Sequence, residues 1–145
     1  MIAQFTVNGI PKAKGRPKFS RAGNYVNTYT PKETLVYENL VKLEYERQCE
    51  DLYFGDMPLQ AKITAYFPIP KNVSKKKHLE MSEGEVGHTK KPDCDNIAKI
   101  ILDALNHIAF KDDSQICKLI VEKLYSDEPR VEVVIETYER RRRHK

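Results

Sequence analysis

The first apolar positions alternate. Ala3, Phe5 and Val7 are separated by Gln4, Thr6 and Asn8, the period of a half-buried strand. Residues 11–30 lose that alternation. They are rich in Pro, Gly, Lys, Arg, Asn and Thr, and read as a long basic loop. A structureless stretch of that length is uncommon inside a compact domain and is often functional. Thr30, Pro31 and Glu33 then form a helix start, with a Thr cap, Pro at the first helical position and Glu at the third. Leu35, Tyr37, Leu40, Val41, Leu43 and Tyr45 carry this helix from about 31 to 50. Alternation returns over 60–68, where Ala61, Ile63, Ala65 and Phe67 interleave with Lys62, Thr64 and Tyr66, and Pro68 and Pro70 end the strand. Residues 71–85 are polar with room for a short helix, and 87–92 are loop. Ile97, Ile100, Ile101, Ala104, Leu105 and Ile108 follow i, i+3, i+4, i+7 spacing and predict a helix over about 94–107 with one buried stripe. Asp112 to Ser114 is a turn. Segments 116–125 and 131–138 alternate in part around a Ser-Asp-Glu-Pro-Arg connection, which predicts a hairpin. Strand, helix, strand, helix, hairpin gives an α+β single domain, a mixed β-sheet with packed helices. Residues 1–139 form that domain and 140–145 a basic tail.

Composition changes the picture through its distribution. The chain has 145 residues, 32% of them charged, and a net charge of only +4. Residues 1–30 hold Lys12, Lys14, Arg16, Lys18 and Arg21 and no acid, while the chain closes on Arg140, Arg141, Arg142, Arg143, His144 and Lys145. Two basic ends around an acidic middle suggest a polyanionic partner. Cys49, Cys94 and Cys117 form no CxxC pair, which fits a reduced cytoplasmic protein. No apolar run reaches membrane-spanning length, and the first residues lack the charge and apolar core of a signal peptide.

The acids supply the candidate chemistry. Asp93, Asp95, Asp103, Asp112 and Asp113 fall close together, with Lys99 among them. Asp93 and Asp95 stand at a helix start, where one carboxylate is an ordinary cap. Two at i and i+2 cannot both be simple caps. If the helix and following turn return Asp113 towards them, the set suits Mg²⁺, which takes few carboxylates and leaves room for water and phosphate. Lys99 has two readings, a surface ion pair one turn from Asp95 or a countercharge to phosphate. Asp103 reads as a partner of Lys99, and Asp112 as a turn cap. An EF-hand fails because Ala98 and Ala104 occupy the required Gly and Glu positions. GxxxxGK[ST], HExxH and GxSxG do not occur, and the four histidines lack ligand spacing. Lys12, Lys14, Arg16, Lys18 and Arg21, with Phe19, Tyr25 and Tyr29, suit a loop that binds phosphates and stacks on bases. Lys75, Lys76 and Lys77 are a second basic candidate. Solvated surface is the bland reading of each, and also of the arginine tail.

The run from Lys91-Pro92-Asp93 through Asp95-Asn96, Lys99, Asp103-Ala104-Leu105 and Asn106, then Lys111-Asp112-Asp113-Ser114-Gln115, resembles the RusA family of Holliday junction resolvases. The family pattern is a D-x-D-N-x-x-K helix start, D-A-L, then a D-D-x-Q turn, and each part occurs in order. Residues 91–115 carry the match. Outside them the likeness is an N-terminal strand, a basic loop at Gly15-Arg16-Pro17 and a terminal hairpin. The resemblance implies a RusA-like fold and a homodimer acting on four-way junction DNA. It implies Asp93, Asp95 and Asp113 as Mg²⁺ ligands, with Mn²⁺ able to substitute, and Lys99 as the catalytic lysine. Such proteins are bacterial or prophage-encoded endonucleases that resolve junctions by paired nicks in recombination and repair. The alternatives are a non-catalytic branched-DNA-binding protein and a nuclease for flaps or other branches.

Overall fold

The computed structural model describes residues 1–15, 18–23, 25–29 and 31–140. A four-stranded sheet is built from β1 (Ile2–Asn8), β4 (Leu59–Pro68), β5 (Ile116–Ser126) and β6 (Arg130–Thr137), in the order β1-β6-β4-β5. The β4–β5 pair is parallel, and the β1–β6 and β4–β6 pairs are antiparallel. The helices are α1 (Lys32–Cys49), α2 (Lys75–Ser82) and α3 (Cys94–Leu105). The α+β mixed sheet with packed helices is therefore present. No helix among the described residues is long and apolar enough to cross a membrane.

Register explains the core. Phe5, Val133, Ile63 and Val121 form one cross-sheet row, and Ala3, Ile135, Ala61 and Leu119 form another. A third row runs Val7, Val131, Ala65 and ends on Lys123. The apolar members on β1, β6 and β4 are buried, because neighbours across a sheet share a face. Ile97, Ile100, Ile101, Ala104 and Leu105 of α3 join that core, as their spacing predicts, with Ala98 and Leu102. Each fully buried aliphatic side chain contributes about 1.5–3 kcal/mol.

Three expectations change. First, 116–125 and 131–138 are strands, but they are not a hairpin. β4 lies between them, so the short connection at 127–129 steps over a strand. Alternation encodes which face a residue occupies, not which strand lies beside it. Second, the basic stretch is not all loop. β2 (Lys18–Ala22) and β3 (Tyr25–Tyr29) pair antiparallel around Gly23, whose φ of 63° suits a tight turn. Its β-prone aromatic and branched residues were masked by the surrounding Gly, Pro and Lys. Third, Pro31 is the N-cap of α1 and Lys32 its first helical residue, while Thr30 lies outside the described residues. The buried stripe of α1 is Thr34, Tyr37, Glu38, Val41 and Tyr45, whereas Leu35, Leu40 and Leu43 are exposed.

Candidate active site

The row ending on Lys123 places a lysine on the apolar face of the sheet. Its ammonium cannot be left there unpaired. It donates to the carbonyls of Lys90 (2.6 Å) and Pro92 (2.8 Å), clipping the loop before α3 onto β5. The same loop gives a backbone bond from His88 N to Lys123 O, 3.1 Å. His88 stacks on Phe67 with ring centroids 3.9 Å apart. Nothing in the sequence marked Lys123, because a lysine in an edge strand ordinarily faces solvent. Lys123→Met should retain the stem and release the loop. Charged hydrogen bonds contribute about 1.5–3 kcal/mol, so faster hydrogen exchange over 87–92 and a lower Tm are expected. Unchanged exchange there would remove the clip.

Burial first, then the charges of Lys123 and Lys90, hold the His88 pKa below its ordinary 6.5. The folded chain thus prefers neutral imidazole, while the unfolded chain takes a proton as pH falls through about 6.5. This contribution to stability is complete above that value and declines below it, until the depressed folded pKa is reached. Thermal melts from pH 7.5 to 5.5 should show a steeper fall in Tm for wild type than for His88→Phe.

The clipped loop delivers Asp93 as the N-cap of α3, in extended conformation (φ −73°, ψ 153°). Its carbonyl accepts the first helical bond, from Ile97 N at 3.2 Å, but its carboxylate makes no capping bond. The simple cap is therefore not what this residue does. Asp95 follows in the first turn, and Asp93, Asp95 and Lys99 are all exposed. Free N–H groups and the helix dipole favour negative charge here. Lys99 is paired with Asp103 at 3.7 Å, not with Asp95. Asp103 has a closer partner in Lys14, at 3.3 Å, and Lys14 also reaches Glu38 of α1 at 2.9 Å.

Asp112 is the turn cap that its position predicts. It accepts from Ser114 N at 3.0 Å, its own N–H donates to Gln115 Oε1 at 2.7 Å, and Ser114 holds its carboxyl below the usual range. Gln115 anchors the turn by donating to the carbonyls of Gly55 and Met57, each at 2.9 Å. The D-D-x-Q turn is thus built by its first and last members, and Asp113 opens the short 3-10 helix Asp113–Gln115.

That turn lies at the wrong end of α3 to complete a site within one chain. Asp113 precedes Ile116, which pairs with Leu59 at the start of β4. The start of α3 lies beside Val121 and Lys123, through Cys94 Sγ and Pro92 O. Val121 lies five residue steps along β5 from Ile116, about 17 Å of strand. The expected return of Asp113 towards the helix start does not occur. Among the described residues no group of three or more His, Cys, Asp or Glu is placed to hold a metal ion. Asp93 and Asp95 alone still suit Mg²⁺, which binds through one or two carboxylates and keeps positions for water and phosphate.

The basic candidates divide. Lys12, Arg21, Lys75, Lys76 and Lys77 are exposed, the last three in the first turn of α2. Lys18 lies in β2, and Arg16 falls outside the described residues. Lys14 is correspondingly withdrawn from the set, because its charge is used between α1 and α3. Glu38 and Asp103 hold its pKa above the ordinary value although burial alone would lower it. Beside it Gly15 N donates to Thr34 Oγ1 at 3.2 Å. A Cβ on Gly15 would stand 2.8 Å from that oxygen, so only glycine fits this approach to α1.

Fold and site define a class, a small α+β protein with an exposed carboxylate–lysine helix start and a basic surface. The profile of the family described as Endodeoxyribonuclease RusA matches residues 8–136. The chain belongs to the RusA endodeoxyribonuclease family, and membership assigns it endonuclease chemistry. It is also similar to YqaN of Bacillus subtilis (strain 168), an uncharacterized protein. The two are 42% identical over 135 residues, covering 91% of this chain and 94% of YqaN.

Proposed function

We propose that this chain is a Mg²⁺-dependent, structure-selective endonuclease that resolves Holliday junctions as a homodimer, by symmetric paired nicks in recombination and repair. The observation that carries the reading is the start of α3. Its N-cap Asp93 spends no oxygen on capping, and Asp95 and Lys99 lie on the same exposed stretch. Mg²⁺ bound there would polarise the scissile phosphate and acidify a water for in-line attack. Asp93 and Asp95 hold the ion, and Lys99 exchanges its loose pair with Asp103 for the charge developing on phosphate. Lys123 fixes the loop that orients Asp93. Asp113 is the third ligand, contributed in trans, because its own chain keeps it at the far end of β5. A two-fold dimer provides two such sites for the two strands of a four-way junction. Lys12, Lys18, Arg21 and the three lysines of α2, with Arg16, supply salt-dependent phosphate affinity.

The test is cleavage of a synthetic four-way junction by wild type and Asp93→Asn, with Mg²⁺ and with chelator. Nicking by wild type only, and only with metal, is expected. Binding without nicking by both proteins would leave a non-catalytic branched-DNA binder. Equal nicking by both would remove Asp93 from the mechanism, and preference for flaps over junctions would replace the substrate.

A further inference from the structure

Asp103 is shared by two lysines. Lys14 Nζ lies 3.3 Å and Lys99 Nζ 3.7 Å from the same oxygen, Oδ2. The two cations are not equivalent. Lys99 stands one helical turn before Asp103 on α3 and is 60% exposed, so its pair is a surface contact of the i, i+4 kind. Lys14 comes from the segment before β2 and is largely covered. Its ammonium is fixed by Glu38 Oε1 at 2.9 Å, and its backbone N–H donates to Asn96 O at 3.1 Å. The next residue, Gly15, is pressed against Thr34 of α1. Asn96, Lys99 and Asp103 recur at i, i+3 and i+7, so one face of α3 carries all three. Lys14 is thus held against that face at both ends of the interval in which Lys99 stands.

We propose that Lys14 is a positioning residue for Lys99: by occupying Asp103 it keeps the neighbouring ammonium loosely bound and free to move to phosphate. The proposal rests on the endonuclease reading above, in which Lys99 meets the scissile phosphate. Two lysines and two acids make a neutral cluster, and Lys99 is its most exposed member. Two cations on one carboxylate oxygen also repel each other, which weakens the hold on the outer one. When Lys99 leaves, Asp103 is not stranded, because Lys14 remains beside it. A partly buried carboxylate that loses its last cation is costly, so the second lysine lowers the cost of the exchange. Without Lys14, Asp103 would hold Lys99 alone, and every turnover would break its one remaining pair. Glu38 has the complementary part, since it keeps Lys14 in place while Asp103 is shared.

The test reads the lysine pair separately from cleavage. In the chain without metal or DNA, acetylation of Lys99 by an amine-reactive ester is timed by mass spectrometry against exposed Lys76 in the same sample. Lys14→Met should slow Lys99 about twofold, because Asp103 turns to it, and Asp103→Asn should speed it by a similar factor. A role confined to stability moves neither, or moves both the same way. Nicking of a four-way junction with Mg²⁺ is then followed at saturating protein, at a temperature where every variant is folded. Lys14→Met should lower the single-turnover rate about two- to fivefold and leave junction affinity unchanged. Lys14→Arg restores the cation and should restore the rate. In an Asp103→Asn background Lys14→Met should cost nothing further, because no carboxylate is left to capture Lys99. Unchanged acetylation of Lys99 in Lys14→Met, or a nicking defect that persists in the Asp103→Asn background, overturns the proposal. The expected acetylation pattern in a chain that never nicks a junction keeps Lys14 as the group that loosens Lys99 and overturns the nuclease reading instead.

Discussion

Asp93→Asn and Asp113→Asn, each inactive alone, are expected to regain junction nicking when mixed. Each substitution keeps the side chain's shape and removes its charge, and loss of a metal-binding carboxylate costs on the order of 100-fold or more in rate. In either homodimer both sites carry a defect. In a mixed dimer with trans sites, one site collects both substitutions and the other has neither. Random exchange makes half of the dimers mixed, with one of two sites intact, so nicking should recover to roughly a quarter of wild type. The product should also change. Mixed dimers cut one strand and leave a nicked junction, whereas wild type separates the arms. A labelled junction run on native and denaturing gels reads both quantities. If each chain built its own site, every site in the mixture would keep one defect, and activity would stay at the level of the single variants. Failure to recover after subunit exchange is verified would therefore return Asp113 to some other role.

The separation of Asp113 from the start of α3 within one chain follows from what a sequence can and cannot encode. The start of α3 is local: a proline, two aspartates and an apolar stripe at helical spacing fix the helix and the end at which Asp93 and Asp95 stand. The same holds for the D-D-x-Q turn, where Asp112 and Gln115 close on one another within four residues. The distance between these two pieces is not local. It depends on α3 and β5 running past each other in opposite senses, and on β4 lying between β5 and β6. Alternation specifies neither. Lys123 escaped for the same reason, since its role depends on being the last member of a row whose other members come from β1, β6 and β4. The β2–β3 hairpin was hidden differently, by a basic composition that resembles loop although its aromatic and branched residues favour strand.

Lys14 lies in the basic stretch yet its ammonium is engaged within the fold, and its replacement should separate fold from DNA contact. It stands in the segment that binds Asn96 O through its own N–H, 3.1 Å, and its ammonium bridges Glu38 and Asp103. The three side chains are only 20%, 12% and 21% exposed. Lys14→Met preserves the stem but removes the cation between Glu38 and Asp103, leaving Asp103 only its looser pair with Lys99 at 3.7 Å. A fully buried pair broken this way costs about 3–5 kcal/mol, and partial exposure reduces that to about 1–3. A fall in Tm of roughly 3–10 °C is expected. Glu38→Gln, which keeps an acceptor and removes one of the facing charges, should fall less. The pH dependence has a definite sign. Because the folded pKa of Lys14 is raised from 10.5, its contribution is complete below that value and is lost as pH rises through the folded one. The gap between wild type and Lys14→Met should therefore narrow in strong alkali. Junction affinity measured against salt gives the other half of the argument. A phosphate-contacting residue adds about 0.9 to the slope of log K against log salt concentration, so Arg21→Ala should flatten that slope. Lys14→Met should leave it unchanged at temperatures where the variant is folded, because its charge is already neutralised between α1 and α3.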